Sequence, residues 1–145
     1  MPIPLFDTTG LLPGGLHDGT LEEVESRFAK SPPRRVLWEQ FVSYAAEIRR
    51  WPIAKELIVD GSFVTDEPAP HDIDVILVLR DDYDLSKEVS PFEYNLRSHR
   101  MVSRRYGLDL FAVRPGSLEY NRFIQLFSQV RDRGGRTKGL IRIEL

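Results

Sequence analysis

The chain has no cysteine among its 145 residues, which excludes a disulfide framework and thiolate chemistry and fits a reducing compartment. Long hydrophobic runs are also missing, because the apolar stretches span only a few residues and a membrane helix needs roughly 20. Neither sign of charge dominates: the formal net charge is −2, so the composition provides no long-range attraction for nucleic acid. The first residues include no basic or extended apolar segment, and we therefore expect no secretion signal and a cytoplasmic protein.

Helix signals occupy the first third of the chain. We expect one domain over residues 1–145, in which residues 1–19, dense in proline and glycine, form an irregular arm. Thr20 and Glu23 have the spacing of a capping box, which predicts a helix over residues 21–28. Pro32 and Pro33 begin a second helix that ends near Trp51. Its expected apolar stripe is Val36, Leu37, Phe41, Tyr44, Ala45 and Ile48, opposite the polar residues Arg34, Arg35, Glu39, Gln40 and Arg49.

Apolar runs dominate the remainder of the chain. They predict strands over residues 56–60, 72–79, 108–113 and 139–145, with helices over 93–106 and from 117 to about 131. The resulting order is helix, helix, strand, strand, helix, strand, helix, strand. Such an order predicts an α/β or α+β fold, a sheet with helices packed on it.

Two aspartates open the second of these strands. Asp72 and Asp74 are two positions apart, and in an extended strand their side chains point to the same side with Cα atoms roughly 6.6 Å apart. That spacing allows two carboxylates to hold one metal ion, or two ions about 3.5–4 Å apart. The plain alternative is that both residues simply cap the start of a strand.

Asp109 is the third acid of interest, standing alone among apolar residues. An isolated carboxylate in such a strand is costly unless a cation pairs with it, and that cation is either a metal ion or an arginine. If its strand lies beside the Asp72–Asp74 strand, three carboxylates converge and repel one another until a divalent cation relieves them. Oxygen ligands of this kind suit Mg²⁺ or Mn²⁺.

A Gly-Ser pair precedes the two aspartates. Gly61 allows the backbone to approach a phosphate closely, and Ser62 offers a hydroxyl and a backbone N–H to phosphate oxygens. By itself the pair is better interpreted as an ordinary turn. Its place after a strand, ten residues before Asp-Ile-Asp, favours the phosphate-binding interpretation.

Gly61, Ser62, Asp72, Asp74 and Asp109 stand in an order that resembles the nucleotidyltransferase superfamily of the DNA polymerase β type, in its minimal form. The resemblance covers roughly residues 55–115 and implies a nucleotidyltransferase-like mixed sheet. It further implies that the three aspartates hold Mg²⁺ or Mn²⁺ and are catalytic, with Asp109 helping to activate the attacking hydroxyl. Ser62 would bind the β- and γ-phosphates of a nucleoside triphosphate, and the acceptor would be an RNA or a protein.

The C-terminal residues, including Arg136 and Lys138, look like those of small bacterial members of that superfamily, some of which lie among toxin–antitoxin and phage-defence genes. We expect Arg136 and Lys138 to bind phosphate. A second basic group lies before them in the chain and consists of Arg97, His99, Arg100, Arg104 and Arg105. In one interpretation it guides RNA or triphosphate to the site, and in the other it is a solvated helix face.

Two further functions stay open at this point. One is a catalytically silent binding or antitoxin module, suggested by the absence of a second domain to hold acceptor and base. The other is a three-carboxylate metal nuclease. The nucleotide, the acceptor and the oligomeric state have no signal in the sequence.

Overall fold

The computed structural model describes residues 3–128 and 138–145. Within these ranges the chain forms one five-stranded mixed sheet flanked by helices, which confirms the predicted fold class. The strands are β1 Gly15–Asp18, β2 Ala54–Asp60, β3 Asp74–Leu79, β4 Asp109–Val113 and β5 Gly139–Glu144. The α-helices are α1 Leu21–Phe28, α2 Pro32–Ile48, α3 Pro91–Arg97, α4 His99–Tyr106 and α5 Leu118–Ser128, and a single 3-10 turn spans Ser62–Val64.

The strand order across the sheet is β1-β5-β2-β3-β4. The central strand β2 runs antiparallel to both neighbours, β5 and β3, whereas β1 is parallel to β5 and β4 is parallel to β3. A parallel pair needs a crossover connection, and α3 with α4 supplies it between β3 and β4. This crossover brings the beginnings of β3 and β4 to the same edge of the sheet.

One face of the sheet carries the larger core, into which α2 sends its long apolar side chains. The prediction for α2 is wrong at two positions: Val36 is 57% exposed, whereas Arg34 is buried. Trp38 takes the place expected for Val36 and is 1% exposed. The buried stripe comprises positions 34, 37, 38, 41, 44, 45 and 48, so five of the six predicted positions are confirmed and the three- and four-residue spacing is kept.

The other face is covered more thinly. Its core consists of Ile58, Ile76, Val78, Val113 and Leu140, and α5 lies against it with four partly buried side chains, Tyr120, Phe123, Ile124 and Phe127. No residue of α5 is fully buried. The predicted end of this helix, near residue 131, falls outside the described residues.

Two expectations about chain segments are corrected. The arm over residues 1–19 is not wholly irregular, because β1 pairs with the outer edge of β5. Backbone pairing of four residues needs no side-chain pattern, so it left no periodicity to detect. The helix expected over residues 93–106 is two helices broken at Ser98, whose backbone is extended and whose hydroxyl accepts from the N–H of Met101 at 3.4 Å. That capping bond begins α4 anew.

The helices found in residues 3–128 and 138–145 are each too short or too polar to cross a membrane.

Candidate metal centre

Three carboxylates converge where β3 and β4 begin. Asp74 and Asp109 are the first residues of these parallel strands and are register partners, while Asp72 lies two residues before Asp74. One carboxylate oxygen of each residue lies within 4.8 Å of the others, and all three residues are partly buried. The sequence predicted this convergence on the condition that the two strands are neighbours, and the sheet meets that condition. We call Asp72, Asp74 and Asp109 the carboxylate cluster.

The cluster holds more negative charge than its surroundings neutralise. Burial raises the pKa of Asp74 to about 7, helped by the charges of Asp72, Asp60 and Asp109 and opposed by Lys138. Near neutral pH the cluster therefore competes for positive charge, which a proton or a metal cation can supply. The donor set is made of carboxylate oxygens only, so it fits Mg²⁺ or Mn²⁺ better than a metal that prefers nitrogen or sulfur ligands.

The Gly61-Ser62 turn is bonded to the cluster. Gly61 has φ 93° and ψ −178°, a conformation open essentially to glycine alone. A Cβ atom at this position would lie 3.0 Å from Asp72 Oδ1 and 3.1 Å from the backbone N of Asp74. The backbone N–H and the hydroxyl of Ser62 donate to Asp72 Oδ1 over 3.4 and 3.3 Å, and the backbone N–H of His71 donates to the Ser62 hydroxyl at 3.2 Å. These long bonds aim two donors into the site.

Arg34 holds the backbone that follows this turn. Its terminal nitrogens donate to the carbonyl oxygens of Phe63, Thr65 and Glu67 at 2.6 to 2.7 Å, and to that of Phe28 at 3.2 Å. Sequence reasoning placed Arg34 on the polar face of α2 and missed this role. The detectable signal was its position on the same helical stripe as Trp38.

Asp60 is a fourth acid at the site and was also missed. It is the last residue of β2, the register partner of Asp74, and only 2% exposed. Burial raises its pKa, while the charge of Lys138 opposes that rise. Lys138 Nζ forms an ion pair with Asp60 Oδ1 over 3.0 Å, and within residues 3–128 and 138–145 this oxygen accepts no hydrogen bond of regular geometry. The overlooked signal was strand alternation: Asp60 lies two residues after Ile58 in β2, so its side chain is on the same buried face of the sheet as that of Ile58.

The remaining predicted residues are distributed as follows. Lys138 lies at the site through its contact with Asp60, and Arg136 is outside the described residues. The basic group on α3 and α4 is partly engaged elsewhere: the Arg97 guanidinium lies 5.4 Å from the Tyr94 ring centroid, and His99 Nδ1 is 2.9 Å from the Leu110 carbonyl oxygen. Arg100, Arg104 and Arg105 are exposed.

Fold and site together define an α+β protein with three converging carboxylates at one sheet edge. Residues 4–144 match a protein family described as a family of unknown function (DUF6932), and because the match spans almost the whole chain, the chain belongs to that family. Neither the curated proteins nor the solved structures compared with the chain gave a match.

Proposed function

We propose that the protein is a metal-dependent nucleotidyltransferase that moves a nucleoside monophosphate from a nucleoside triphosphate to a hydroxyl of an RNA or protein acceptor. The observation that carries the proposal is the convergence of Asp72, Asp74 and Asp109 within 4.8 Å, directly beside the Gly61-Ser62 turn. A metal ion held by three carboxylates and a neighbouring pair of donors suited to phosphate are the two parts that phosphoryl transfer requires.

The carboxylate cluster would hold Mg²⁺ or Mn²⁺. When bound, the metal supplies positive charge that neutralises the triphosphate and stabilises the departing pyrophosphate. Ser62 contributes a hydroxyl and a backbone N–H to the β- and γ-phosphate oxygens, exchanging its long contacts with Asp72 for shorter ones to substrate. Gly61 lets this part of the backbone approach the phosphates without a side chain in the way.

The chemical step exchanges the phosphoanhydride linkage of the triphosphate for a phosphate ester on the acceptor. The acceptor hydroxyl oxygen bonds to the α-phosphorus while the bond from that phosphorus to the α–β bridging oxygen breaks, and pyrophosphate leaves with the electron pair. Asp109, partly buried at the start of β4, takes the hydroxyl proton and passes it to solvent. Most of the rate acceleration comes from positioning and charge neutralisation.

Labelling of an acceptor tests this function. The protein is incubated with Mg²⁺, labelled nucleoside triphosphates and cell lysate, and transfer of label to a macromolecule is expected. Asp72→Asn, Asp74→Asn and Asp109→Asn should each abolish labelling, because each removes a metal ligand while keeping the side-chain shape. Asp81→Asn, which alters an exposed acid in the loop after β3, is the matched control and should label normally. Labelling that survives the three cluster substitutions would refute the proposal.

A catalytically silent binding or antitoxin module is the second candidate, and one observation favours it. The Lys138 charge already acts on Asp74, so the protein supplies part of the neutralisation without a metal. Calorimetry with Mg²⁺ and a nucleoside triphosphate separates the two functions, since the silent module binds no nucleotide in a metal-dependent way. Degradation of nucleic acid without any triphosphate would instead indicate a metal nuclease.

A further inference from the structure

The Asp60–Lys138 pair joins the end of β2 to the beginning of β5 in the row of residues that holds the metal-binding candidates. The side chain of Asp60 is 3% exposed and that of Lys138 is 15% exposed, so both charges are largely removed from water. A buried ion pair is weak evidence for stability, because well-packed apolar residues of similar volume often serve as well or better. Its presence in this row points to a role other than holding two strands together.

Strand register sets where the Lys138 ammonium lies. Asp60 pairs with Asp74, and Asp74 pairs with Asp109, so the three side chains form a row across β2, β3 and β4 on one face of the sheet. Side chains directly opposite each other on neighbouring strands have Cβ atoms about 4.5–5.5 Å apart. The ammonium, 3.0 Å from Asp60, is therefore a close neighbour of the cluster, and its charge opposes the rise in the pKa of Asp74 that burial causes.

The ammonium retains capacity for another ligand. A lysine ammonium has three N–H donors, and among the described residues its ion-pair partner is the single oxygen Asp60 Oδ1, which cannot occupy all three. A lysine side chain is flexible and strongly hydrated, so a free Lys138 would move toward solvent or onto the carboxylates of the cluster. Asp60, which is outside the group of converging metal-ligand candidates, holds the ammonium at one place instead.

We propose that Asp60 is a positioning residue that holds the Lys138 ammonium beside the carboxylate cluster, where the ammonium binds a phosphate oxygen of the triphosphate substrate. The inference rests on the proposed function and assigns Asp60 a part in it. Asp60 acts only through Lys138 and does not contact substrate. Ser62 and Lys138 would then contact the phosphates from different strand connections, the first after β2 and the second before β5.

The test measures the affinity of a non-hydrolysable nucleoside triphosphate in saturating Mg²⁺ by calorimetry, together with the thermal midpoint of each variant. Asp60→Asn should weaken nucleotide binding at least about tenfold, as expected for one lost hydrogen bond to a charged group. Lys138→Met should weaken it similarly, and the double variant should be no weaker than either single variant, because both substitutions remove one ammonium contact. Lys138→Arg should retain most of the affinity, since it keeps the charge.

Asp18→Asn is the matched control. It removes an ion pair to β5, the strand that directly follows Lys138: Arg142 Nε lies 2.7 Å from Asp18 Oδ1, and Asp18 is not a member of the carboxylate cluster. Its nucleotide affinity should equal that of the wild type. If Lys138→Met fails to fold because Asp60 is left unpaired, Asp60→Asn and the double variant, which bury no unpaired carboxylate at this position, still decide the matter.

The outcomes separate this inference from the proposed function. If the wild type binds the triphosphate with Mg²⁺ and Asp60→Asn binds it within twofold of the wild type, the positioning role is refuted and the proposed function stands. Equal affinity losses in Asp60→Asn and Asp18→Asn would also refute it, because the effect would then follow from any ion pair to β5. If the wild type binds no triphosphate, both the proposed function and the positioning role are overturned.

Discussion

Arg34 and the acidic site bring buried charge to the same short segment, residues 61–67, but they differ in how that charge is satisfied. The Arg34 guanidinium donates to four carbonyl oxygens, three of them within this segment. The acids lie beside the first residues of this segment, and the charges of Asp72, Asp60 and Asp109 add to the effect of burial in raising the pKa of Asp74. A buried charge with a full set of partners holds structure, whereas one with too few partners retains free energy for binding a ligand.

Residues 61–67 connect Arg34 physically to the acidic site. Ser62 contacts Asp72 on one side, and the Phe63 carbonyl accepts from Arg34 on the other. Arg34, whose guanidinium is hydrogen-bonded to four carbonyl oxygens, therefore fixes the backbone segment from which Ser62 donates to Asp72. Removing the Arg34 guanidinium should therefore destabilise the fold, whereas removing the Asp74 charge should stabilise the metal-free protein.

Replacing Arg34 should have the largest effect. Arg34→Met leaves the buried carbonyl oxygens of Phe28 and Phe63 without donors, and each unsatisfied group costs about 1–3 kcal/mol, so we expect a loss of at least about 2 kcal/mol in the free energy of unfolding. Urea denaturation measures it. Arg35→Met is the control, because the neighbouring side chain is half exposed and pairs with Glu25 at 3.8 Å; it should cost less than about 1 kcal/mol. Equal losses in both variants would contradict the structural role assigned to Arg34.

Gly61→Ala comes next, with an expected cost of about 1–3 kcal/mol from the backbone conformation alone. The added Cβ would also press against Asp72 Oδ1 and the backbone N of Asp74, so metal affinity should fall as well. Gly116→Ala is the matched control, because Gly116 also has a positive φ, 67°, but its Cβ would meet nothing within 4 Å. It should cost about 1 kcal/mol and leave metal affinity unchanged. Denaturation and metal titration by calorimetry together separate the two variants.

Gly61 and Arg34 show which parts of the site the sequence can reveal and which it cannot. Gly61 and the carboxylate cluster were predictable, because Gly-Ser, Asp-x-Asp and a lone strand aspartate are local patterns, and a helical crossover makes their strands neighbours. Arg34 and Asp60 were missed because their burial depends on partners distant in the chain, the carbonyls near residue 65 and Lys138. β1 was missed for a related reason, since its pairing uses backbone groups that every residue carries.

Asp74→Asn should act in the opposite direction and stabilise the metal-free protein. The pKa of Asp74 rises from an ordinary value of 3.8 to about 7 on folding, so the folded state binds a proton that the unfolded state releases between these values. Wild-type stability therefore declines as pH rises from about 4 to 7 and stays low above that window. At pH 8 in chelator, Asp74→Asn should be more stable than the wild type by about 1 kcal/mol, allowing for solvent screening of a partly buried group.

Low pH, saturating Mg²⁺ and a control variant each test whether the stability gain of Asp74→Asn comes from removing the carboxylate charge. The advantage of Asp74→Asn should shrink toward zero as the pH falls to about 4 and below, where the folded carboxyl is already protonated and the unfolded one becomes protonated. Saturating Mg²⁺ should reverse the order at pH 8, because a ligand that binds only the folded wild type stabilises it. Asp81→Asn, in an exposed loop, should show neither effect. Thermal midpoints across pH measure all of this, and a destabilised Asp74→Asn at pH 8 without metal would show that the cluster's charge is already satisfied within the protein.

Ser62→Ala should have the smallest effect on stability. It tests whether the Ser62 hydroxyl serves the fold, as Arg34 does, or binds substrate together with the carboxylate cluster. The hydroxyl donates to Asp72 over 3.3 Å and accepts from the backbone N–H of the exposed residue His71 at 3.2 Å, and water can replace both partners. We expect a loss below about 1 kcal/mol, with a weaker affinity for triphosphate in Mg²⁺. A loss as large as that of Gly61→Ala, with unchanged nucleotide affinity, would instead place this hydroxyl with Arg34, as a group whose hydrogen bonds serve the fold and leave no donor for substrate.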